Sequence, residues 1–239
     1  MSLHKNKGFN EYDTADRIYR LKDKWQKKRY ATVQAFIEKH LAPTVTEDSF
    51  ILNAASVGNS YGLPKKNMQH FDVASGKIAY LSNAQTGSMK NILFSDDIYD
   101  IIVCTGSALN NTDPMKAFEE FKRILRPKGL LIVEFENSNT IELLLKKDFN
   151  RKAVFVNSYC AKQQRWHYSD SWINELLVLN KFETIRKRKF HYFHPLTHWT
   201  TAAETKARIS FGLDPLFRLV PFARNLASHT VILCQKNPD

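Results

Sequence analysis

Several residues that can bind a polar ligand stand directly after the most apolar stretches of the sequence. Asp72 lies near the end of one such stretch, MQHFDV (68–73), and a carboxylate there can accept two hydrogen bonds from the vicinal hydroxyls of a ribose. The alternative is that Asp72 caps the turn ASGK that follows. The stretch ILNAASVGNSYG (51–62) raises a similar question, because a predicted strand runs into a turn whose only glycines are Gly58 and Gly62.

The apolar stretches alternate with amphipathic ones, which predicts strands alternating with helices. YDIIVCTG (99–106) and LLIVEFE (130–136) are runs of β-forming residues, as is typical of strands covered on both faces. Between them, 113–129 predicts a helix with Asp113 as N-cap and a stop at Lys128-Gly129. The alternation predicts a parallel sheet in a three-layer α/β fold.

The other predicted elements are less regular. Helices are predicted at 14–40, 139–147 and 169–180, and strands at 50–55, 68–73, 83–87, 182–193 and 228–236. The segment between the last two strands, 194–225, predicts an inserted helical lid.

In an open parallel sheet, ligands bind beyond the carboxyl ends of the strands, near the point where the strand order reverses. The residues that follow the predicted strands should therefore converge on one crevice. They are Asn53 to Gly62, Asp72, Gly87 with Ser88, and Thr105, Gly106 and Ser107 with Asn110 and Asn111.

Composition limits the class of protein. Of the 239 residues 43% are hydrophobic, enough for a packed core. No apolar run reaches the roughly 18–20 residues of a membrane span, and the N-terminus lacks the apolar core of a signal peptide. Cys104, Cys160 and Cys234 are odd in number and form no CxxC pair. We therefore expect buried free thiols in a cytoplasmic protein.

The net charge of +11 is concentrated in a few basic runs, at 20–29, 144–152 and 186–189. A basic surface can attract nucleic acid, anionic lipid or phosphorylated substrates. The alternative for the first run is an exposed, solvated helix face. Charge alone therefore does not identify a partner.

The segment 96–138 resembles the central part of the class I S-adenosylmethionine-dependent methyltransferases. An acidic-aromatic-Asp lead enters a strand, and an acidic helix ends in Arg-hydrophobic-Leu-x-Pro-x-Gly before the next strand. The residues that carry this pattern are Tyr99, Asp100, Glu119, Glu120, Arg123, Leu125, Pro127 and Gly129. The match covers roughly residues 50–136 well and the remainder in outline.

The resemblance implies a Rossmann-like sheet, mostly parallel with an antiparallel last strand, and S-adenosylmethionine as cofactor, with S-adenosylhomocysteine as product. It implies one domain over 1–239, with a helical N-terminal cover (1–45), a cofactor-binding core (46–150) and an acceptor-side half (151–239). Asp72 would hold the ribose and Val73 would lie against adenine. The other implied cofactor-binding residues are Asn53, Ala55, Ser56, Val57, Gly58 and Tyr61 in the first loop, Ser88 and Met89 at the adenine edge, Thr105, Gly106 and Ser107 near the sulfonium, and Tyr12 and Tyr19 in an aromatic lid. For either of these two tyrosines, the alternative is a helix anchor that packs on the sheet.

The sequence departs from the family in the first loop. The family's loop begins with an acid and carries two or three glycines, where this chain has Asn53, Ala55, Val57 and Asn59. Val57 would be strained by roughly 1 kcal/mol or more at positive φ. Gly58 and Asn59 tolerate left-handed backbone, so a shifted turn could form. At the adenine end, Ser88 stands where the family usually has Asp.

The implied activity is methyl transfer to a small-molecule or glycan-type acceptor, which the net charge allows to be anionic. One alternative, suggested by the altered loop, is a methyltransferase-like binding or partner protein without turnover. The other is a nucleic-acid methyltransferase. Net charge alone supports it, and no Asn/Asp-Pro-Pro-aromatic motif follows the strand at 99–106.

A hydroxyl acceptor would need a base. The candidates are His167, His191, His194 and His198, with Tyr168 and Asn111 as positioning groups. The last three histidines, in HYFHPLTHW, could also suggest a metal site. In a strand, however, His191 and His194 point to opposite faces, and no Cys, Asp or Glu lies among them. We therefore predict no metal site.

Overall fold

A computed structural model describes residues 24–55, 58–157, 164–192, 220 and 223–238. The strands in these ranges are β1 (Ile51–Ala54), β2 (Met68–Asp72), β3 (Ala84–Thr86), β4 (Tyr99–Cys104), β5 (Leu125–Glu136), β6 (Ala153–Asn157), β7 (Gln164–Tyr168), β8 (Phe182–Phe190) and β9 (His229–Lys236). The α-helices are α1 (Lys24–His40), α2 (Ser75–Ile78), α3 (Pro114–Ile124) and α4 (Asp170–Leu179). Short 3₁₀ turns lie at Ala42–Thr44, Ala108–Asn111 and Ala223–Asn225.

Seven strands form one sheet in the order β3-β2-β1-β4-β5-β9-β8. The first five strands in this order run parallel to one another, and β9 runs antiparallel to both β5 and β8. The predicted Rossmann-like sheet with an antiparallel last strand is confirmed. The strand order reverses between β1 and β4, so a ligand crevice is expected at the carboxyl ends of these two strands.

Helices cover both faces of the sheet, as the apolar strands predicted. On one face, α1 contributes Val33, Phe36 and Ile37 to a buried cluster with Ile51, Ile101, Ile132 and Val231. On the other face, α3 and α4 contribute Phe118, Phe121, Ile173 and Leu176 to a cluster with Leu52, Ile102 and Leu131. Each fully buried Phe, Leu or Ile side chain contributes about 1.5–3 kcal/mol. These clusters hold the strand ends that carry the candidate site.

The start of α3 is as predicted, but its end is not. The Asp113 side chain caps the helix by accepting a hydrogen bond from the N–H of Met115 at 3.0 Å. The helix stops at Ile124 rather than at Lys128-Gly129. Residues from Leu125 onward belong to β5, because Leu125 already pairs with Tyr99 of β4. The sheet ladder therefore overrides the helical pattern of these residues.

The predicted helix at 139–147 is wrong, since this segment forms successive turns. Polar side chains at its start bind distant backbone groups, which competes with helix formation. Ser138 donates to the Arg151 carbonyl at 2.6 Å, and Asn139 donates to the Asn225 carbonyl at 2.8 Å. The predicted strand at 182–193 ends at Phe190, and His191 follows with a φ of 59°.

The sequence did not predict the antiparallel β6–β7 pair, which follows these turns and lies outside the main sheet. Most of the predicted lid (194–225) and the start of the N-terminal cover lie outside the described residues. Among the residues that the structure describes, no helix is both long and apolar enough to cross a membrane.

Candidate active site

The loop after β1 turns through left-handed backbone conformations. Ala55 has a φ of 58° and Gly58 a φ of 82°, and Tyr61 follows with 51°. Gly58 thus adopts the conformation that a shifted turn requires, whereas Asn59 does not. A left-handed conformation costs a non-glycine residue about 1–2 kcal/mol, so Ala55 is strained. Ser56 and Val57, with the predicted strain at Val57, lie outside the described residues.

Hydrogen bonds join this loop to α1 and to the residue after β4. The Asn53 side-chain amide donates to the Asn59 carbonyl at 2.5 Å, and the Thr105 hydroxyl donates to the Tyr61 oxygen at 2.7 Å. The hydroxyl of Tyr30, from α1, donates to Asn59 Oδ1 at 3.0 Å, and its ring stacks on Tyr61 at 5.5 Å between centroids. Three separate segments therefore meet at this end of the sheet.

Asp72 is only 2% exposed at the carboxyl end of β2, the strand next to β1. Its Oδ1 accepts a hydrogen bond from the N–H of Ala74 at 2.9 Å, so Asp72 does cap the following turn. This contact also fixes the orientation of the carboxylate. A carboxylate has about four acceptor positions, so capping is compatible with ligand binding. Val73, the next residue, is 47% exposed.

The segment after β3 is held against β4. The Cys104 thiol contacts the Met89 sulfur at 3.7 Å, and Ser88 Oγ accepts from the N–H of Lys90 at 3.3 Å. Burial, with a contribution from the Glu134 and Asp72 carboxylates, raises the pKa of the Cys104 thiol to about 12. Cys104 is therefore a neutral, packed thiol rather than a nucleophile.

The turn after β4 is fixed by two acids of β5. Gly106 and Ser107 are both left-handed, with φ values of 77° and 54°. The N–H of Ser107 donates to Glu134 Oε2 at 2.8 Å, and its hydroxyl donates to Glu136 Oε1 at 2.7 Å. The two carboxylates thus stabilise a backbone conformation that serine rarely adopts.

Glu134 is fully buried on the sheet face that α1 covers. Arg29 of α1 donates to its Oε2 at 2.8 Å, and this arginine is also buried. Removing one partner of such a buried pair costs about 3–5 kcal/mol, because the other charge is left uncompensated. The pair therefore ties α1 to the turn after β4.

At the end of β5, Glu136 is surrounded by basic side chains from β7 and β9. Arg165 donates to its Oε1 at 2.6 Å, His167 Nε2 lies 3.1 Å from its Oε2, and His229 Nε2 lies 4.0 Å from its Oε1. We call these four residues the Glu136 centre. Burial alone would raise the pKa of Glu136, but Arg165, His167 and His229 hold it well below its usual value. The centre thus contains an ionised carboxylate and three basic groups.

Of the six predicted base and positioning residues, His167 belongs to this centre, and Tyr168 and Asn111 lie near it. Both ring nitrogens of His167 face oxygen acceptors, Glu136 on one side and the Asn137 carbonyl, at 3.1 Å, on the other. The Tyr168 hydroxyl donates to the Thr112 carbonyl at 2.8 Å, and burial raises its pKa. Asn111 is exposed, and its side-chain amide donates to the Ser107 carbonyl at 3.1 Å.

Of the remaining predicted histidines and lid tyrosines, the structure describes only His191. The His191 ring packs against His229 at 5.3 Å between centroids. His194 and His198, and the predicted lid tyrosines Tyr12 and Tyr19, lie outside the described residues. Within the described ranges, no group of three His, Cys, Asp or Glu side chains is arranged to hold a metal ion.

Sequence reasoning missed five residues of this region, namely Arg29, Glu134, Glu136, Arg165 and His229. Two of them did leave a signal, because LLIVEFE places two acids inside an otherwise apolar strand. Acids are almost never fully buried unless they are paired. The pattern therefore indicates buried partners, although their identity depends on the fold.

Residues 64–133 match a family model described as a methyltransferase domain. No curated protein sequence matches the chain. Among solved structures, a Pyrococcus horikoshii protein is similar over 95% of this chain and 99% of its own, with 14% identity and a TM-score of 0.61. A SAM-dependent methyltransferase from Methanosarcina mazei shares 15% identity over 82% of this chain and 95% of its own, with a TM-score of 0.53.

A third similar structure is the geranyl diphosphate C-methyltransferase from Streptomyces coelicolor, in complex with Mg²⁺, geranyl diphosphate and S-adenosylhomocysteine. It shares 11% identity over 86% of this chain and 78% of its own, with a TM-score of 0.56. At these identities the likeness to the solved structures shows the fold.

Proposed function

We propose that this chain, which carries a methyltransferase domain with the class I fold, transfers a methyl group from S-adenosylmethionine to a small-molecule or glycan-type acceptor that bears an anionic group. The cofactor supplies a methyl group activated on a sulfonium. Because such a methyl group is already reactive, the chain's task is to align it with the acceptor and exclude water.

The observation that carries the proposal is Asp72. Its carboxylate is buried and fixed at the carboxyl end of β2, beside the point where the strand order reverses. Two vicinal hydroxyls of a ribose suit an oriented carboxylate at this position. Val73, exposed next to it, would lie against adenine.

The first loop and the turn after β4 would hold the rest of the cofactor. Asn53, Ala55 and Gly58 would lie along the methionine part, with Ser56 and Val57. The Tyr61–Thr105 hydrogen bond keeps this loop against Thr105, Gly106 and Ser107, which would lie near the sulfonium. Ser88 and Met89 would approach the adenine edge, and Tyr12 and Tyr19 would cover the site.

The Glu136 centre supports an anionic acceptor. Ser107 connects this centre to the turn after β4, and the centre contains more basic than acidic groups. Arg165 is suited to a carboxylate or phosphate because its guanidinium carries five donors. The similar structure from Streptomyces coelicolor was solved with geranyl diphosphate, so a protein with a related fold binds a ligand that carries an anionic group.

The candidates His167, Tyr168 and Asn111 would act mainly by positioning. Both nitrogens of His167 are engaged, so His167 would orient Glu136 and Arg165. Tyr168 anchors β7 to Thr112, and exposed Asn111 would contact the acceptor. The buried free thiols Cys104 and Cys234 support a reducing compartment such as the cytoplasm.

A methyl-transfer assay with radiolabelled S-adenosylmethionine tests this proposal. The acceptors are matched pairs, each a hydroxy acid or sugar acid and its uncharged amide. Transfer should favour the acid of each pair, and Arg165→Met should reduce this preference. Equal transfer to acid and amide would contradict the anionic acceptor. No transfer to any acceptor, together with no cofactor binding, would contradict the enzymatic proposal.

A further inference from the structure

One oxygen of the buried Glu134 carboxylate, Oε1, has no hydrogen-bond partner among the residues that the structure describes. The other oxygen accepts from Arg29 and from the N–H of Ser107, each at 2.8 Å. A buried acceptor left without a donor costs about 1–3 kcal/mol. The described part of the fold supplies no donor to this oxygen, so it remains available to a donor from a ligand.

Glu134 points to the same sheet face as Asn53. In the ladder, Asn53 pairs with Val103 and Val103 pairs with Ile132. Side chains alternate along a strand, so Glu134, two residues beyond Ile132, lies on that face one step closer to the carboxyl edge. Asn53 Oδ1 also has no hydrogen-bond partner within the described ranges. Two unsatisfied acceptors therefore share this face and this end of the sheet.

We propose that Glu134 binds the ammonium group of the cofactor's methionine part, replacing the acid that the family carries where this chain has Asn53. This inference rests on the proposed function. An ammonium has three donors and no acceptor, and in a buried site a carboxylate partner stabilises it better than an amide. Asn53 retains an acceptor oxygen but lacks the charge.

The nearby acid Glu136 is less suited to this role. Both of its oxygens are engaged, Oε1 by Arg165 and Ser107 and Oε2 by His167. Glu134, in contrast, keeps one oxygen for a ligand while Arg29 and Ser107 fix the other. The Arg29–Glu134 pair thus orients the carboxylate as well as tying α1 to the sheet.

Calorimetry with two ligands tests the assignment. S-adenosylhomocysteine carries the ammonium, whereas 5′-methylthioadenosine shares the nucleoside and sulfur but lacks the amino-acid part. Glu134→Gln should weaken S-adenosylhomocysteine binding about 10- to 100-fold, as expected for one lost charge-assisted hydrogen bond, and leave methylthioadenosine binding unchanged. The ratio of the two Kd values is an internal control, because unfolded protein lowers both signals equally.

A matched control is Glu120→Gln, which also removes a carboxylate paired with an arginine, Arg123 at 2.8 Å, but on α3. The Kd ratio should stay at its wild-type value in this variant. Glu134→Gln leaves Arg29 buried without its carboxylate, so the double variant Arg29→Met/Glu134→Gln is a second test. In it, the Kd for S-adenosylhomocysteine should rise relative to the Kd for methylthioadenosine by the same factor.

An unchanged ratio in either Glu134 variant overturns the inference while leaving the proposed function intact, provided that the wild type binds S-adenosylhomocysteine. Wild-type protein that binds neither ligand would overturn both. The two failures are therefore distinguishable in one experiment.

Discussion

Replacing Arg165 with methionine should destabilise the fold much more than the same replacement at Arg126. The Arg165–Glu136 and Arg126–Asp100 pairs have equal nitrogen–oxygen distances of 2.6 Å. They differ in burial, since the side chains of the first pair are 17% and 13% exposed and those of the second are 44% and 34% exposed. The two replacements therefore compare a partly buried pair with a more exposed one of equal length.

The expected magnitudes follow from that difference. Breaking a buried pair by removing one partner costs about 3–5 kcal/mol. The Arg165–Glu136 pair is only partly buried, and His167 lies 3.1 Å from Glu136 as a remaining partner, so we expect the lower end, about 3 kcal/mol. A more exposed pair contributes about 0.2–1 kcal/mol. The two variants should thus differ by about 2 kcal/mol or more in the free energy of unfolding, measured by guanidinium denaturation at pH 7.

The pH dependence provides a second observable. The pKa of Glu136 is lowered in the folded protein, so its stabilising contribution is present above the unfolded-state value of about 4.3 and is lost as pH falls through the folded value. The gap between wild type and Arg165→Met should therefore narrow below about pH 4. Equal losses of stability for Arg165→Met and Arg126→Met would show that Glu136 is solvated, and would refute this account of the centre.

Two further predictions concern the backbone of the first loop and the thiols. Ala55→Gly should raise the free energy of unfolding by up to about 1 kcal/mol in urea denaturation, because glycine relieves the left-handed strain. Ala74 has a φ of −94°, so Ala74→Gly should instead lower the free energy of unfolding. An equal loss of stability in the Ala55→Gly and Ala74→Gly variants would contradict the strain at Ala55. Burial raises the pKa of the Cys104 and Cys234 thiols to about 12. In a Cys160→Ser background, the native protein at pH 8 should not react with a thiol reagent within minutes, whereas two thiols should react after unfolding; rapid native reaction would contradict their burial.

The sequence predicted those parts of the fold that local pattern determines. The continuous apolar runs identified β4 and β5 as strands covered on both faces, and Asp113 identified the start of α3. The helix predicted at 139–147 failed because the polar side chains of Ser138 and Asn139 bind backbone groups from other segments. The periodicity of apolar residues in the sequence does not reveal such distant partners.

Some residues of the candidate site could be predicted from the sequence, and others could not. Asp72 could be singled out because it stands at the end of a recognisable strand, and the structure places it there as a buried carboxylate. The Glu136 centre could not be predicted, since Arg165, His167 and His229 come from β7 and β9 and meet only when the chain folds. Ala55 could be recognised from the sequence as a departure from the family's glycines, but its positive φ, and hence its backbone strain, became apparent only in the fold.

Calorimetric titration of S-adenosylhomocysteine into wild type, Asp72→Asn and Asp48→Asn tests the central claim most directly. Asp48 is a surface acid paired with Lys66 and serves as the matched control. We expect micromolar binding to the wild type and to Asp48→Asn, and binding about 100-fold weaker to Asp72→Asn, since two hydrogen bonds to a charged group are weakened. Equal affinity in all three proteins, or no binding to the wild type at millimolar concentration, would contradict the account.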